Sequence, residues 1–525
     1  MKMDWPGRLS SLAAACTVAG LFFALSFNLG SFPGLHGDEA WAGLRARDIL
    51  AHGSTSIHGM NTYTGGLFPQ IIAASFSQAA ANVTWLRMPG VIFNVLAVAI
   101  LAFAFRAYRH AALAITLLFA SSLLFLFYSR IAWEVSALQN FLVAIIIVCA
   151  ARLLRAPVLP AGTAALFFAA FALGTLNHFI FSAAAISFAV TAGLIASRTP
   201  SAATWRLFFM AALNLVIQLI VMVTKHFMLD GPFATHVLPA FSAGALLVWA
   251  GTAALVRFKP EVLRAAQNFL ASRPRFVSRF HRTLLLALSG CFILILPFNG
   301  ASFWGTVSGA VAMERVTSHV PGVLESIFLY LRMAILCLAF GWLAHRRMQS
   351  ERPHDHLKEL LLVWPIAFLV IMQMETIGLS DRYFIIPQAI FFVALALCLN
   401  DLPVLGRRAV QAVMIVGVIQ AQLFFWGAVM RKGDPQPLQR FRYAFYFDTS
   451  RHFLKMEALA GFLKQSGICA VTSTSYFITQ PMKFLMAAPA CPASNTVRVE
   501  YCDTCRKPVP WFRITPSQDA VKPGE

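Results

Sequence analysis

A chain of 525 residues that is 58% hydrophobic and only 12% charged is far from a soluble domain, where about a quarter of residues carry charge. Its formal charge of +20 does not point to nucleic acid. The Lys and Arg residues sit mainly in short loops between apolar runs, with no helix-turn-helix, zinc-finger or basic aromatic signature.

Lys2 and Arg8 precede an apolar run over about 9–29. No convincing small-residue cleavage site follows Phe27-Asn28, so this run reads as a retained first span. The first polar segment comes next, from Leu35 to Asp48. Two adjacent acids, Asp38 and Glu39, just outside a span are costly to keep unless they are solvated or used. A helix beginning near Asp38 puts Asp38, Trp41, Ala42 and Arg45 on one face. That face offers an acid, an aromatic plate and a cation to a polar, phosphate-bearing substrate. The alternative is that Asp38 caps a short interfacial helix, with Glu39 favoured by the positive helix N-terminus.

Residues 51–82 are too polar and Gly-rich for a span. The turn signals His52-Gly53, His58-Gly59 and Thr64-Gly65-Gly66 lead into an apolar stretch from Leu67 to Ala80. This predicts a loop and a juxtamembrane helix on the outer surface, within a first outer loop of 30–86. Apolar runs near the ~20 residues a bilayer needs then recur. They fall at about 87–105, 111–128, 135–151, 161–176, 179–196, 207–223, 237–256, 283–297, 323–343, 359–377, 383–400 and 409–428. With the first run they make about thirteen spans.

With Lys2 and Arg8 inside, the inner loops hold Arg106, Arg109, Arg152, Arg155, Arg198 and Arg206, the cluster from Arg257 to Arg282, then Arg346, Arg347, Arg352, Lys358, Arg407 and Arg408. The outer loops hold few cations, as the positive-inside rule requires. Asp38, Glu39, Arg130, Glu134, His178, Lys225, His226, Glu314, Arg315, Asp381 and Arg382 all fall outside. Ionisable groups at that depth are functional candidates, or else interfacial anchors and local ion pairs.

Beyond Met430 the composition turns mixed. Residues 431–525 open on Asp434-Pro435-Gln436-Pro437. A helix is predicted over about 451–464, stopped at Gly467, with strands at 468–474 and 496–501. This predicts a small extracytoplasmic α/β domain after a transmembrane domain of residues 1–430. The odd span count puts it outside. Cys16, Cys149, Cys291, Cys337 and Cys398 lie in apolar runs as small core residues. Cys469, Cys491, Cys502 and Cys505 form an even set in the tail. One or two disulfides is the leading reading, over a zinc site or a redox Cys502-Asp503-Thr504-Cys505.

Five short motifs carry a family resemblance. They are Gly37-Asp38-Glu39-Ala40-Trp41 with Arg47-Asp48-Ile49-Leu50-Ala51-His52-Gly53; Trp85-Leu86-Arg87-Met88-Pro89; Tyr128-Ser129-Arg130-Ile131-Ala132-Trp133-Glu134; and Asp381-Arg382-Tyr383-Phe384-Ile385-Ile386-Pro387. In this order and sidedness the chain resembles the GT-C superfamily of polytopic glycosyltransferases. It looks closest to the branch of protein O-mannosyltransferases and bacterial aminoarabinose transferases. The resemblance implies an all-α, multi-pass protein, of bacterial inner membrane type, with its N-terminus cytoplasmic and its site facing out. It would move a sugar from a polyprenyl-phosphate donor to an envelope lipid, glycan or protein acceptor.

The resemblance places the general base at Asp38, with Glu39 orienting the base or the acceptor. Arg382 and Arg130 would hold the leaving phosphate, with Tyr383, His178, Tyr63 and Arg45 as further substrate contacts. Glu134 would bind a sugar hydroxyl or hold Arg130 in place. No metal ligands are assigned, and help from a divalent cation is left open. Relatives often carry Lys where this chain has Asn177-His178, and neutral His is a weaker phosphate partner. The proline-bearing stretch after the acidic motif is represented only loosely, by Tyr63-Thr64-Gly65-Gly66-Leu67-Phe68-Pro69. The rival class is a transporter or lipid-linked-sugar flippase. It would show two matching halves around a midplane site, and no such halves are visible here.

Overall fold

A computed structural model describes residues 5–53, 59–61, 63–108, 110–227, 335–336, 338–343, 346, 355–372, 381–430, 456–486, 495–501, 509 and 512–516. The expected spans at 237–256 and 283–297 lie outside the described residues. So do Glu314, Arg315, Cys291, Cys337, Cys491, Cys502, Cys505 and the side chains of Lys225, His226, Asp381 and Arg382.

The chain is mostly helical. Helix α1 (Trp5–Ser26) is the first apolar run, and α2 (Gly37–His52) carries the acidic motif. Helix α3 (Leu67–Gln78) is the expected juxtamembrane helix, and α4 (Val83–Ala104) starts at Asn82, whose side chain accepts from the Trp85 amide at 3.0 Å. The run at 111–128 is not one helix. It divides into α5 (Ala111–Ala120) and α6 (Leu123–Tyr128) because Ser122 Oγ accepts from Phe125 N at 3.1 Å and starts a new helix. The short α7 (Glu134–Ala137) leads into α8 (Gln139–Arg155), followed by α9 (Ala161–Asn177), α10 (Ile180–Arg198) and α11 (Ala202–Phe227). Later come α12 (His356–Met372), a 3₁₀ turn at Asp381–Phe384, α13 (Ile385–Cys398) and α14 (Val404–Met430).

Among the described residues, five helical segments are long and apolar enough to cross a membrane: Val83–Ala104, Glu134–Arg155, Ile180–Arg198, Ala202–Val221 and Val404–Gly427. The chain is a multi-pass integral membrane protein. Helix α10 packs on α11 and α12, α8 on α4 and α9, and α1 on α4 and α5. Trp364, buried inside this bundle, is tied down. Trp364 Nε1 donates to Ser187 Oγ at 3.0 Å and to the Ala184 carbonyl at 3.2 Å.

The loops expected on one side meet one another. Arg155 bonds Tyr108, whose hydroxyl is 3.4 Å from Asp355, and Lys358 pairs with Asp401 at 3.0 Å. Arg206 donates to the Leu153 carbonyl at 3.0 Å. The opposite ends gather the acidic motif and its partners.

In the tail, α15 (Met456–Gln465), with Gly467 at φ 74 beyond its end, matches the expected helix. Strands β1 (Ala470–Thr472) and β2 (Thr496–Tyr501) match the expected strands and pair in parallel, Val471 opposite Val497. Two elements were not expected. One is α16 (Tyr476–Met486), disguised in the sequence by Pro481 within it, and the other is β3 (Phe512–Pro516), antiparallel to β2. Met456, Leu459, Leu463, Ile478, Met482, Val499 and Phe512 form their common core.

The tail packs on the rest of the chain, with α16 along α2. Gly43 permits this. A Cβ at Gly43 would stand 2.5 Å from the Phe484 ring, so only glycine lets that ring reach the helix backbone. Arg47, one turn on, donates to the Phe484 carbonyl at 2.8 Å.

Candidate functional site

The site is organised around a buried ion pair. Glu39 and Arg87 are both fully buried. Arg87 Nε meets Glu39 Oε1 at 2.8 Å and Nη2 meets Oε2 at 2.8 Å, a two-point fork. Arg87 spends its remaining donors on the carbonyls of Leu29, Pro33 and Gly34. Glu39 in turn accepts from His36 N at 3.1 Å and Ala132 N at 2.7 Å. One pair therefore fastens the chain after α1, the start of α2, the first turns of α4 and the segment before α7. Three of the sequence motifs meet at this point.

Arg130 is the second buried guanidinium. It donates to Ala24 O at 3.0 Å, Leu25 O at 2.9 Å and Phe32 O at 2.7 Å. These include carbonyls of the last turn of α1, which lack helical partners. The expectation that Arg130 binds phosphate, held by Glu134, is corrected: its donors point at backbone carbonyls, and Glu134 is not among their acceptors. Glu39 is corrected in the same way. A fully buried carboxylate with four filled acceptor positions holds the fold of the site and does not meet an acceptor. Arg45 pairs with Asp48 and lies about 10 Å along α2 from Asp38, the rise of seven residues.

Asp38 differs from its neighbours. Helix α2 is capped by His36, whose Nδ1 accepts from Asp38 N at 3.1 Å, so Asp38 is not the cap. Its carboxylate, 19% exposed, lies 3.8 Å from His36 Nδ1. The His36 ring is fixed edge-on to Trp133 at 4.8 Å between centroids. From the tail, the Tyr476 hydroxyl reaches the same place, donating to Met60 Sδ at 2.8 Å and to the Gly37 carbonyl at 3.4 Å. Burial first, then the carboxylates of Asp38 and Glu134, raise the Tyr476 pKa well above its ordinary value. Asp38, Glu134 and the neutral Tyr476 phenol therefore share one region. Sequence reasoning missed Tyr476, which lies in a part of the chain read as a separate domain.

A second group adjoins the first. The His178 ring stands 5.5 Å from Tyr63 and 5.6 Å from Tyr383. Backbone pairing holds it there. Phe179 N donates to Tyr63 O at 2.8 Å, and Gly65 N donates to Asn177 O at 2.9 Å. Gly65 comes so close to α9 that a Cβ would stand 1.6 Å from the Leu176 carbonyl oxygen. Asn177 Nδ2 donates to the Glu134 carbonyl at 2.6 Å and joins the two groups. Arg382 sits in the 3₁₀ turn beside Tyr383, and that turn packs on α7. Tyr63, His178 and Tyr383 thus come together, near the backbone of Glu134.

Among the described residues, no group of three His, Cys, Asp or Glu side chains stands close enough together to hold a metal ion. Cys469 is disulfide-bonded, in line with the leading reading of the tail cysteines. Cys16 and Cys149 are free thiols.

No family model matches this chain, and no curated protein does. Among solved structures, the apo form of the Archaeoglobus fulgidus oligosaccharyltransferase matches with a TM-score of 0.50 at 13% identity. The match covers 92% of this chain and 64% of that one. The likeness shows the fold. It is a fold like that of this oligosaccharyltransferase, mostly helical and multi-pass. The same enzyme in complex with Zn and sulfate matches at 0.49 and 12% identity, covering 90% of this chain and 61% of that one. The chain thus spans less than two thirds of the oligosaccharyltransferase. ArnT from Cupriavidus metallidurans bound to undecaprenyl phosphate matches at 0.36 and 12% identity, covering 90% of this chain and 85% of that one.

Proposed function

We propose that the chain is a membrane glycosyltransferase of the O-mannosyltransferase and aminoarabinose-transferase type. It takes a sugar from a polyprenyl-phosphate donor and passes it to a hydroxyl of an envelope lipid, glycan or protein outside the cytoplasm. In this reading residues 1–430 form the transmembrane domain of a bacterial inner-membrane protein with its N-terminus inside. Residues 431–525 lie outside and reach back over the site through Tyr476.

The position of Asp38 carries the proposal. Its two polar neighbours have structural tasks: His36 caps the helix and Glu39 locks Arg87. Asp38 keeps a partly exposed carboxylate close enough to Tyr476 to raise the pKa of its phenol. A carboxylate so placed suits general-base work. Asp38 takes the proton from the acceptor hydroxyl as its oxygen bonds to the anomeric carbon. The bond from that carbon to the phosphate oxygen breaks, and the phosphate keeps the electron pair. Arg382 receives the phosphate oxygens, with His178, Tyr383 and Tyr63 as further contacts. Glu134 and Tyr476 hold hydroxyls of the acceptor or the sugar.

A single displacement with inversion follows. Double displacement needs a second carboxylate on the opposite face of the sugar. In this reading Glu134, the candidate second carboxylate, holds a hydroxyl and does not act as a nucleophile. The test is to incubate the purified protein with labelled polyprenyl-phosphate sugars and envelope extract, then determine which product is labelled and its anomeric configuration. An inverted product supports the reading. No transfer from any polyprenyl-phosphate sugar, or retention, contradicts it.

A further inference from the structure

Away from Asp38, a cavity of about 740 Å³ opens between the outer end of α1, the α3–α4 connection and the tail helices α15 and α16. Arg47 lines it, about 13 Å along α2 from Asp38 by the rise of nine residues. Its lining includes Ser31, Asn82 and Thr84, level with the start of the apolar helix α4.

The charges of the lining are unbalanced. Arg47 donates to the carbonyls of Phe484 at 2.8 Å and Ala81 at 2.7 Å, and its guanidinium lies 4.2 Å from the Phe484 ring centre. None of these partners is an anion, and desolvation lowers its pKa. Lys464, across the cavity on α15, has no carboxylate partner among the described residues. Glu457 is the one acid in the lining, against two cations. A half-buried guanidinium without a carboxylate is stabilised most by an anion that brings several acceptor oxygens. Serine and threonine hydroxyls and an asparagine amide on the facing wall suit the same group.

We propose that this cavity is a second ligand site, distinct from the Asp38 site, that binds the phosphate group of an amphiphile or a free phosphate ester between Arg47 and Lys464. It does not depend on the transfer reaction and is tested without it.

Gly461 supplies a clean variant. It lines the cavity on α15, and a Cβ there meets nothing within 4 Å. Gly461→Leu therefore pushes an apolar side chain into the cavity without its Cβ meeting a neighbour. Lys464→Glu changes an exposed side chain and reverses the charge. Binding of phosphatidylglycerol to the full chain in neutral detergent is read by native mass spectrometry, with glycerol phosphate as the soluble arm. The expected result is binding by the wild-type protein, weakened by on the order of tenfold in Lys464→Glu and lost in Gly461→Leu, with unchanged or higher melting temperature. Binding of glycerol phosphate alone, with the same variant pattern, identifies a soluble ester as a sufficient ligand. Binding of the lipid alone identifies a bilayer headgroup. Absence of binding in both arms, or equal binding by wild type and both variants, overturns the proposal.

Discussion

Replacing Glu39 by Gln separates a structural acid from a chemical one. Oε1 accepts from Arg87 Nε and Ala132 N, and Oε2 accepts from Arg87 Nη2 and His36 N. A glutamine keeps one oxygen, so whichever way the amide is turned, two N–H donors face an NH₂ group. The change removes one charge-assisted and one neutral hydrogen bond and leaves Arg87 buried without its counter-ion. Breaking a fully buried pair from one side costs about 3–5 kcal/mol. Unfolding in mixed micelles by titration with a denaturing detergent should show a loss of that size. The double variant Glu39→Leu/Arg87→Met removes both charges but should recover only part of it, because the His36 and Ala132 amides and the Leu29, Pro33 and Gly34 carbonyls lose their partners. A Glu39→Gln protein that unfolds like the wild type but fails to transfer sugar would refute the argument and return Glu39 to the chemistry.

Further outcomes follow from the same geometry. Gly65→Ala should disrupt the pairing with α9, since the added carbon meets a backbone oxygen at 1.6 Å; protease sensitivity of the 51–66 loop should rise and transfer should fall. Tyr476 has a raised pKa in the folded protein, so its contribution to stability is complete below the ordinary tyrosine pKa of about 10 and declines as pH rises above it. Tyr476→Phe should therefore show a smaller loss of melting temperature than the wild type above pH 10, and equal losses would refute the placement. Cys469 should resist thiol labelling until the protein is reduced, and full labelling without reductant would contradict its disulfide.

The acidic motif was legible because two adjacent acids stand out in so apolar a chain, and most helices followed from run length alone. The clustering of Tyr63, His178 and Tyr383 was legible only as a family resemblance. The fate of Arg130 was hidden, because sidedness places a guanidinium at the outer end of the bundle but does not say that its donors are spent on the carbonyls of α1. Histidine is not among the favoured helix caps, so His36 gave no signal and Asp38 looked like the cap. Tyr476 reaches Gly37 across 439 residues of sequence, and no local pattern encodes such a contact. The break at Ser121-Ser122 is a capping interaction inside an unbroken apolar run, which hydropathy alone does not resolve.

The central claim is that Asp38 is the base, and Asp38→Asn tests it most directly. The amide keeps the shape and can still lie beside His36, but it cannot accept the acceptor's proton. With a labelled polyprenyl-phosphate sugar as donor, turnover should fall by about 10²–10⁴-fold, the usual worth of general-base help. Donor binding should be unchanged, since in the proposed site the phosphate falls to Arg382 and the His178 group and not to Asp38. Turnover by the Asp38→Asn protein within a few-fold of the wild type would contradict the account.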